Sequence, residues 1–330
     1  MPHPEHSLTL FPAPQILSGV TTRRIMATVI AALLPALVAA VAFFGARALL
    51  VVAVAVASSV LFEYLWCRLR KLPNTTHDLS AVVTGMLLAY NVPSTLPLYM
   101  VVIGSFVAIV LAKELFGGIG RNFANPAIVA RIVLSVSFPV AMTTYVAPNL
   151  ALSDIDAITS ATQLAPSAHA ASPFELFLGT QMGVLGETSA VAIVVGFVIL
   201  VVTRTITWHV PTIYVGAVFL FSVLTGHDPF VQVFSGGLML GAVFMATDYT
   251  TSPVTVRGKV VFALGLAVLT CLIRFWGNMN EGVAYSILLM NLLVPYIDAH
   301  TADVPVGVSR EKWKGIPAGR FARRKDNADA

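Results

Sequence analysis

Long stretches of this sequence carry no charge, and that constrains the fold more than any motif does. A hydrocarbon core about 30 Å thick is crossed by about 20 apolar residues in a helix, because a peptide group in lipid must find its hydrogen bond inside its own segment. On that rule about ten apolar runs stand out: 25–43, 48–66, 79–92, 97–115, 126–146, 189–207, 211–225, 231–247, 258–276 and 282–298. Several are short.

Composition agrees: the chain is 57% hydrophobic and 11% charged, with a mean hydropathy of +0.84, where a soluble domain carries about 25% charged residues. The first run leads into others of similar length with no cleavage-site pattern, so it is read as a retained span. A net charge of +4 does not point to nucleic acid, because the basic residues stand at the ends of apolar runs and in the tail. Cys67 and Cys271 are the only cysteines, far apart and without a neighbouring His. They support neither a metal site nor a disulfide framework.

Basic residues concentrate on the cytoplasmic side of a membrane protein. With Arg23 and Arg24 inside, alternation puts Arg68, Arg70, Lys71, Lys113, Arg121, Arg204, Arg257, Lys259 and the basic tail inside as well. Only Arg47 and Arg274 fall near the outer face. The segment between the fifth and sixth runs carries Asp154, Asp156, Glu175 and Glu187 and no base, so it is expected outside. The expected organisation is a cytoplasmic segment 1–24, a five-helix half 25–147, an extracytoplasmic loop 148–188, a second five-helix half 189–298, and a cytoplasmic tail 299–330.

An odd number of spans per half inverts the second half in the membrane. The expectation is therefore an all-α membrane protein of two inverted five-helix repeats. Two short runs stand at matching places: one starts at Asp78 and passes through Thr84-Gly85 to Asn91-Val92-Pro93, and the other follows Asp228-Pro229 through Gly236-Gly237 to Thr247-Asp248. Such interrupted segments mark broken helices around a midplane site, although Gly and Pro are also simply commoner in membrane helices.

The outer loop contains the most distinctive chemistry. Its run Asp156-Ala157-Ile158-Thr159-Ser160-Ala161-Thr162 offers a hydroxyl flanked by small residues, as a modifying enzyme needs to esterify Thr162 with a flavin phosphate, and Pro166 keeps the following chain extended. Taken alone, Ser, Ala and Thr are ordinary loop residues.

The run resembles the D-x-x-[ST]-G-A-[ST] flavinylation pattern of ion-pumping membrane redox complexes, with Ser160 where Gly is usual. Most of the chain is similar to the NqrB/RnfD family. The matching stretches are residues 17–26 (LSGVTTRRIM), 78–91 (DLSAVVTGMLLAYN), 123–127 (FANPA), 245–248 (MATD) leading into Ser252-Pro253, and 292–298 (LLVPYID). The resemblance implies a bacterial inner-membrane subunit of an Rnf complex, which moves electrons between reduced ferredoxin and NAD coupled to sodium or proton transport. It implies FMN esterified to Thr162, with Asp156, Thr159, Ser160 and Ala161 as the recognition motif, and partner subunits carrying flavin and iron-sulfur centres. It also implies a noncovalent riboflavin, whose site no residue marks. The chain has no Gly-rich dinucleotide loop or cysteine cluster, so NAD chemistry is expected elsewhere in the complex.

Glu63, Arg131, Asp248 and Arg274 lie in or at the ends of spans, where a charge costs about 3 kcal/mol and often marks a pathway. Glu63 is expected to pair near the inner face beside Arg68 and Arg70, and Arg274 to reach the outer interface. Arg131 and Asp248 are candidates for holding a flavin phosphate or passing an ion. Lone His77, His209 and His227 read as interfacial, and Trp66, Trp208 and Trp276 as an aromatic belt. Beside the redox reading stand a channel or transporter of a small solute, which two inverted halves would also suit, and a scaffold without a cofactor. A flavinylation loop distinguishes the first.

Overall fold

The computed structural model describes residues 21–146, 159–160, 177, 179, 183–187, 189–277 and 282–301. Each apolar run contains a helix. The first half holds α1 (Thr22–Phe44), α2 (Ala46–Leu69), α3 (Ser80–Tyr90), α4 (Leu98–Phe106), α5 (Pro126–Ser137) and α6 (Pro139–Thr143). The second holds α7 (Ala190–Val202), α8 (His209–Thr225), α9 (Pro229–Phe234), α10 (Leu238–Leu240), α11 (Val256–Trp276) and α12 (Gly282–Thr301). Two of these helices widen into π turns, α4 at Val107–Leu111 and α10 at Gly241–Met245.

Among the described residues, five helices are long and apolar enough to cross a bilayer: Thr22–Phe44, Ala46–Leu69, Leu98–Phe116, Val256–Trp276 and Gly282–Thr301. Their outward residues are as apolar as their inward ones. Val38, Leu49, Leu272 and Leu293 are exposed, whereas Ala32, Leu33, Val51 and Leu266 are buried. A surface of that kind is stable against lipid and not against water. The chain is a helical multi-pass membrane protein.

Local chemistry sets the helix ends. The Thr21 hydroxyl accepts from Arg24 N–H (3.3 Å) at the start of α1, and Gly45 turns the chain into α2 at φ 67°, a conformation that glycine adopts without steric cost. The fifth run, expected to continue to 146, breaks after Ser137 and resumes only as the short α6, because Pro139 lacks an N–H and restricts Phe138 before it. After α6, Tyr145–Val146 (β1) pairs antiparallel with Thr159–Ser160 (β2), Tyr145 opposite Ser160 and Val146 opposite Thr159. The eighth run breaks between α9 and α10 at Gly236 and Gly237, both at positive φ.

Close backbone approach packs the bundle. A Cβ on Gly85 would meet Val56 Cα at 2.8 Å and Ala55 O at 2.9 Å, so α3 lies directly on α2. A Cβ on Gly196 would collide with Ala32 O, so α7 lies on α1 across the two halves. In lipid, where no hydrophobic force drives helices together, such small-residue contacts set the packing.

Candidate functional site

The starts of α1, α3 and α5 and the π turn at Gly241–Met245 enclose a cavity of about 280 Å³ at the end of the bundle where α1 and α3 begin. Its wall is mostly apolar, with Ile25, Met26, Val83, Leu87 and Phe244. Polar groups stand at defined points: Ser80, Lys113, Asn122, Asn125, Asp248 and Thr250. Apolar walls with a few placed polar groups are the usual form of a small-molecule site.

Each polar group is fixed by its neighbours. Leu79 takes a left-handed φ of 66° to start α3, a conformation costing about 1–2 kcal/mol for a non-glycine residue. The Asp78 carboxylate offsets this by accepting from Ser80 N–H (2.8 Å) and Ser80 Oγ (2.6 Å). At the far side Thr250 Oγ1 lies 3.3 Å from Asp248 Oδ2 and 3.2 Å from Asn122 Oδ1. Burial pushes the Asp248 carboxyl above the usual carboxylate range, and hydrogen bonds from Thr250 and Thr251 pull against that shift. Asn125 caps α5 by accepting from Ala127 N–H (3.0 Å). With its amide oriented to accept from Asn125 N–H (3.2 Å), Asn291 of α12 donates to Thr251 O (3.0 Å).

Behind this wall is a buried charge cluster. Lys113 Nζ lies 3.0 Å from Glu63 Oε1 and 3.7 Å from Glu114 Oε1, and donates to Ser80 Oγ at 2.6 Å. Thr75 Oγ1 donates to Glu63 Oε1 at 2.8 Å. Glu63 is fully buried, with no interfacial reach, which corrects the expectation that it pairs with its own helix's bases. Its carboxylate turns inward to a lysine fifty positions on.

A second cluster gathers where α3 ends and α9 breaks. Arg131 Nη1 donates to Asn91 Oδ1 at 2.5 Å, and Asn91 Nδ2 donates to Leu87 O at 2.6 Å. Residues 183–187 fold back onto this point, with Leu185 N–H to Val92 O (3.2 Å) and Gly186 N–H to Tyr90 O (3.0 Å). A Cβ on Gly237 would lie 3.3 Å from Arg131 Nη1 and 3.6 Å from Glu187 Oε2, so both side chains converge on the break. Arg274 is also corrected: instead of extending to the interface, it donates to Gln232 O (2.5 Å), Ser235 O (3.0 Å) and Gly236 O (3.0 Å). These carbonyls lost their helical partners when α9 stopped.

Of the residues singled out in the sequence, Asp248 lines the cavity, whereas Arg131 belongs to the second cluster. The structure does not bring them together at one ligand. Thr159 and Ser160 form β2; Asp156, Ala161 and Thr162 lie outside the described residues. Sequence reasoning missed Lys113, Glu187 and Asn91. In the sequence Lys113 looks like a topology signal, and its acidic neighbour Glu114 at the end of an apolar run is the available hint of another role.

Residues 9–307 match the family model described as NQR2, RnfD, RnfE family. The chain belongs to this family. A subunit of the Na(+)-translocating ferredoxin:NAD(+) oxidoreductase complex of Acetobacterium woodii is 44% identical over 315 residues, 93% of this chain and 98% of that protein. A subunit of the proton-translocating ferredoxin:NAD(+) oxidoreductase complex of Clostridium ljungdahlii is 40% identical over 323 residues, 92% and 97% of the two chains. A subunit of the ion-translocating oxidoreductase complex of Actinobacillus succinogenes is 35% identical over 336 residues, 88% and 95% of the two. All three relatives bear the same subunit designation within their complexes. In this NQR2, RnfD, RnfE family chain, matched from before α1 to beyond α12, the cavity and both charge clusters fall inside the shared region.

Proposed function

We propose that this chain is the RnfD-type subunit of an ion-translocating ferredoxin:NAD oxidoreductase of the bacterial inner membrane, and that it passes electrons through FMN esterified to Thr162. The observation that carries the reading is the near full-length likeness to relatives named as one and the same subunit of such complexes. Other subunits of the complex, bearing flavin and iron-sulfur centres, are its partners. When bound, a flavin supplies reversible one- and two-electron transfer, and the protein supplies the mount. Thr162 provides the ester oxygen, with Asp156, Thr159, Ser160 and Ala161 presenting it to a transferase. Pairing of β2 with β1 holds Thr159 and Ser160 of this motif beside the end of α6.

The orientation has support at both ends of the bundle. Lys259 donates to Thr207 (3.2 Å) and Tyr249 to Thr205 O, joining segments assigned to the cytoplasmic side. Arg47 donates to Leu96 O (3.1 Å) and Thr95 to Thr144 O (2.9 Å), joining segments assigned outside. Both termini are then cytoplasmic and the Thr162 loop extracytoplasmic. Two inverted five-helix halves are favoured by the third element of each: Asp78 accepts from Ser80 N–H (2.8 Å) and Asp228 from Phe230 N–H (2.9 Å), each opening a short helix.

The cavity suits the noncovalent riboflavin. Apolar walls from α1, α3 and the π turn would cover the ring faces, and Asn122, Asn125 and Thr250 would meet its polar edge. Its volume of about 280 Å³ is near the lower bound of about 300 Å³ for ligand pockets.

The test of the covalent flavin is a denaturing gel under ultraviolet light, using the complex from a host that has the transferase. Fluorescence should travel with this chain and vanish in Thr162→Val. An unmodified mass for the peptide spanning Thr162 would remove the covalent-flavin reading and return the solute-channel alternative.

A further inference from the structure

The Glu63–Lys113 cluster does more than a structural ion pair requires. A stabilising pair matches one cation with one anion, because a surplus buried charge is costly. Here one ammonium faces Glu63 at 3.0 Å and Glu114 at 3.7 Å, and reaches Asp78 through Ser80. Glu63 Oε2 and Glu114 Oε1 are buried without a hydrogen-bond partner. Three carboxylates around one lysine leave room for a proton among them. His77, exposed beside Asp78, Asp248 and Tyr249 across the cavity, and Cys67 beside Thr75 are other titratable groups nearby.

The bonds also form a continuous line. Asp78 is half-buried at the end of the bundle beside exposed His77, Ser80 Oγ is 2.6 Å from its Oδ1, and Lys113 Nζ is 2.6 Å from Ser80 Oγ. Ser80 and Lys113 both line the cavity. A lysine ammonium has three N–H donors, and Glu63 and Ser80 take two of them. A buried lysine also exchanges its proton far more readily than an arginine.

We propose that Asp78, Ser80 and Lys113 form a proton relay from the membrane surface into the cavity, with Glu63 and Glu114 positioning the lysine. Its consumer is the electron carrier in the cavity, so the inference rests on reading that cavity as a flavin site. When bound, a flavin reduced by the complex's other redox centres would need a proton, and Lys113, whose ammonium lines the cavity, would supply it and be left as the neutral amine. The Ser80 hydroxyl then turns to give its proton to the lysine amine and receives one from the Asp78 carboxyl. A hydronium ion from the bulk returns a proton to Asp78 and becomes water.

The discriminating variant is Ser80→Ala in the intact complex, which cuts the line but leaves the Glu63–Lys113 pair. The readouts are the riboflavin released by acid, separated from FMN, and the stopped-flow rate of riboflavin reduction by ferredoxin. The expected result is unchanged riboflavin content and a rate lowered at least about tenfold, a modest share of what positioned proton transfer contributes. Formate or imidazole should restore the rate, as a merely structural defect would not allow. An unchanged rate, or a slow one that neither weak acid restores, overturns the relay. If Ser80→Ala does not assemble, Asp78→Asn serves, since its Oδ1 still caps α3 but it carries no proton. Val29→Trp, filling the cavity, tests the underlying reading separately: riboflavin retained in that variant refutes the flavin site itself.

Discussion

The two polar clusters differ in the cation each is built on. The one beside the cavity uses a lysine among carboxylates, and the one at the helix breaks uses arginines against an amide and backbone carbonyls, with Glu187 converging beside them. An arginine's planar fork matches several acceptors at once, whereas a lysine ammonium is a compact point charge on a flexible stem. Arg274 and Arg131 therefore pin two breaks in the backbone permanently. Lys113 instead gathers two carboxylates and a serine hydroxyl around one point charge. Apolar Leu87, Phe244 and Met245 are buried in the core of the same bundle, so one chain keeps a fixed joint and a cluster of buried charges within a single apolar frame.

The largest effect should come from removing the lysine. Lys113→Met leaves Glu63 buried without a cation, an error of about 3–5 kcal/mol, visible as a sharp fall in the melting temperature of the complex in detergent. Adding Glu63→Gln to that variant should recover much of the loss. If the single variant melts normally, the cluster is not a buried ion pair.

Arg274→Lys keeps the charge but cannot reach all the carbonyls at the end of α9. A loss of about 1–3 kcal/mol is expected from the unsatisfied acceptors, with faster amide exchange at residues 232–237 as the local readout. Equal stability and exchange would show that charge alone holds the break.

The smallest effects test the likeness between halves. Asp78→Ala and Asp228→Ala each remove a cap, at about 1 kcal/mol apiece. Melting of each variant checks the value. Losses that differ severalfold would show that the two short helices are not structural counterparts.

Sequence alone determined that the chain is helical and lives in a membrane, because uncharged runs of that length have no other stable solution. It also marked the interruptions: Gly236-Gly237, Asn125-Pro126 and Phe138-Pro139 act through their own φ and their missing N–H groups, which are local properties. The cavity was not readable, since its wall draws on residues from Ile25 to Thr250 that no spacing rule connects. Nor was the partner of Glu63: its nearest bases along the chain are Arg68 and Arg70, yet it turns to Lys113, and Arg274 turns inward to carbonyls instead of outward to the interface. A buried charge is satisfied by whatever lies within about 4 Å in space, and only the packing of α2, α3 and α4 against one another decided which residue that would be.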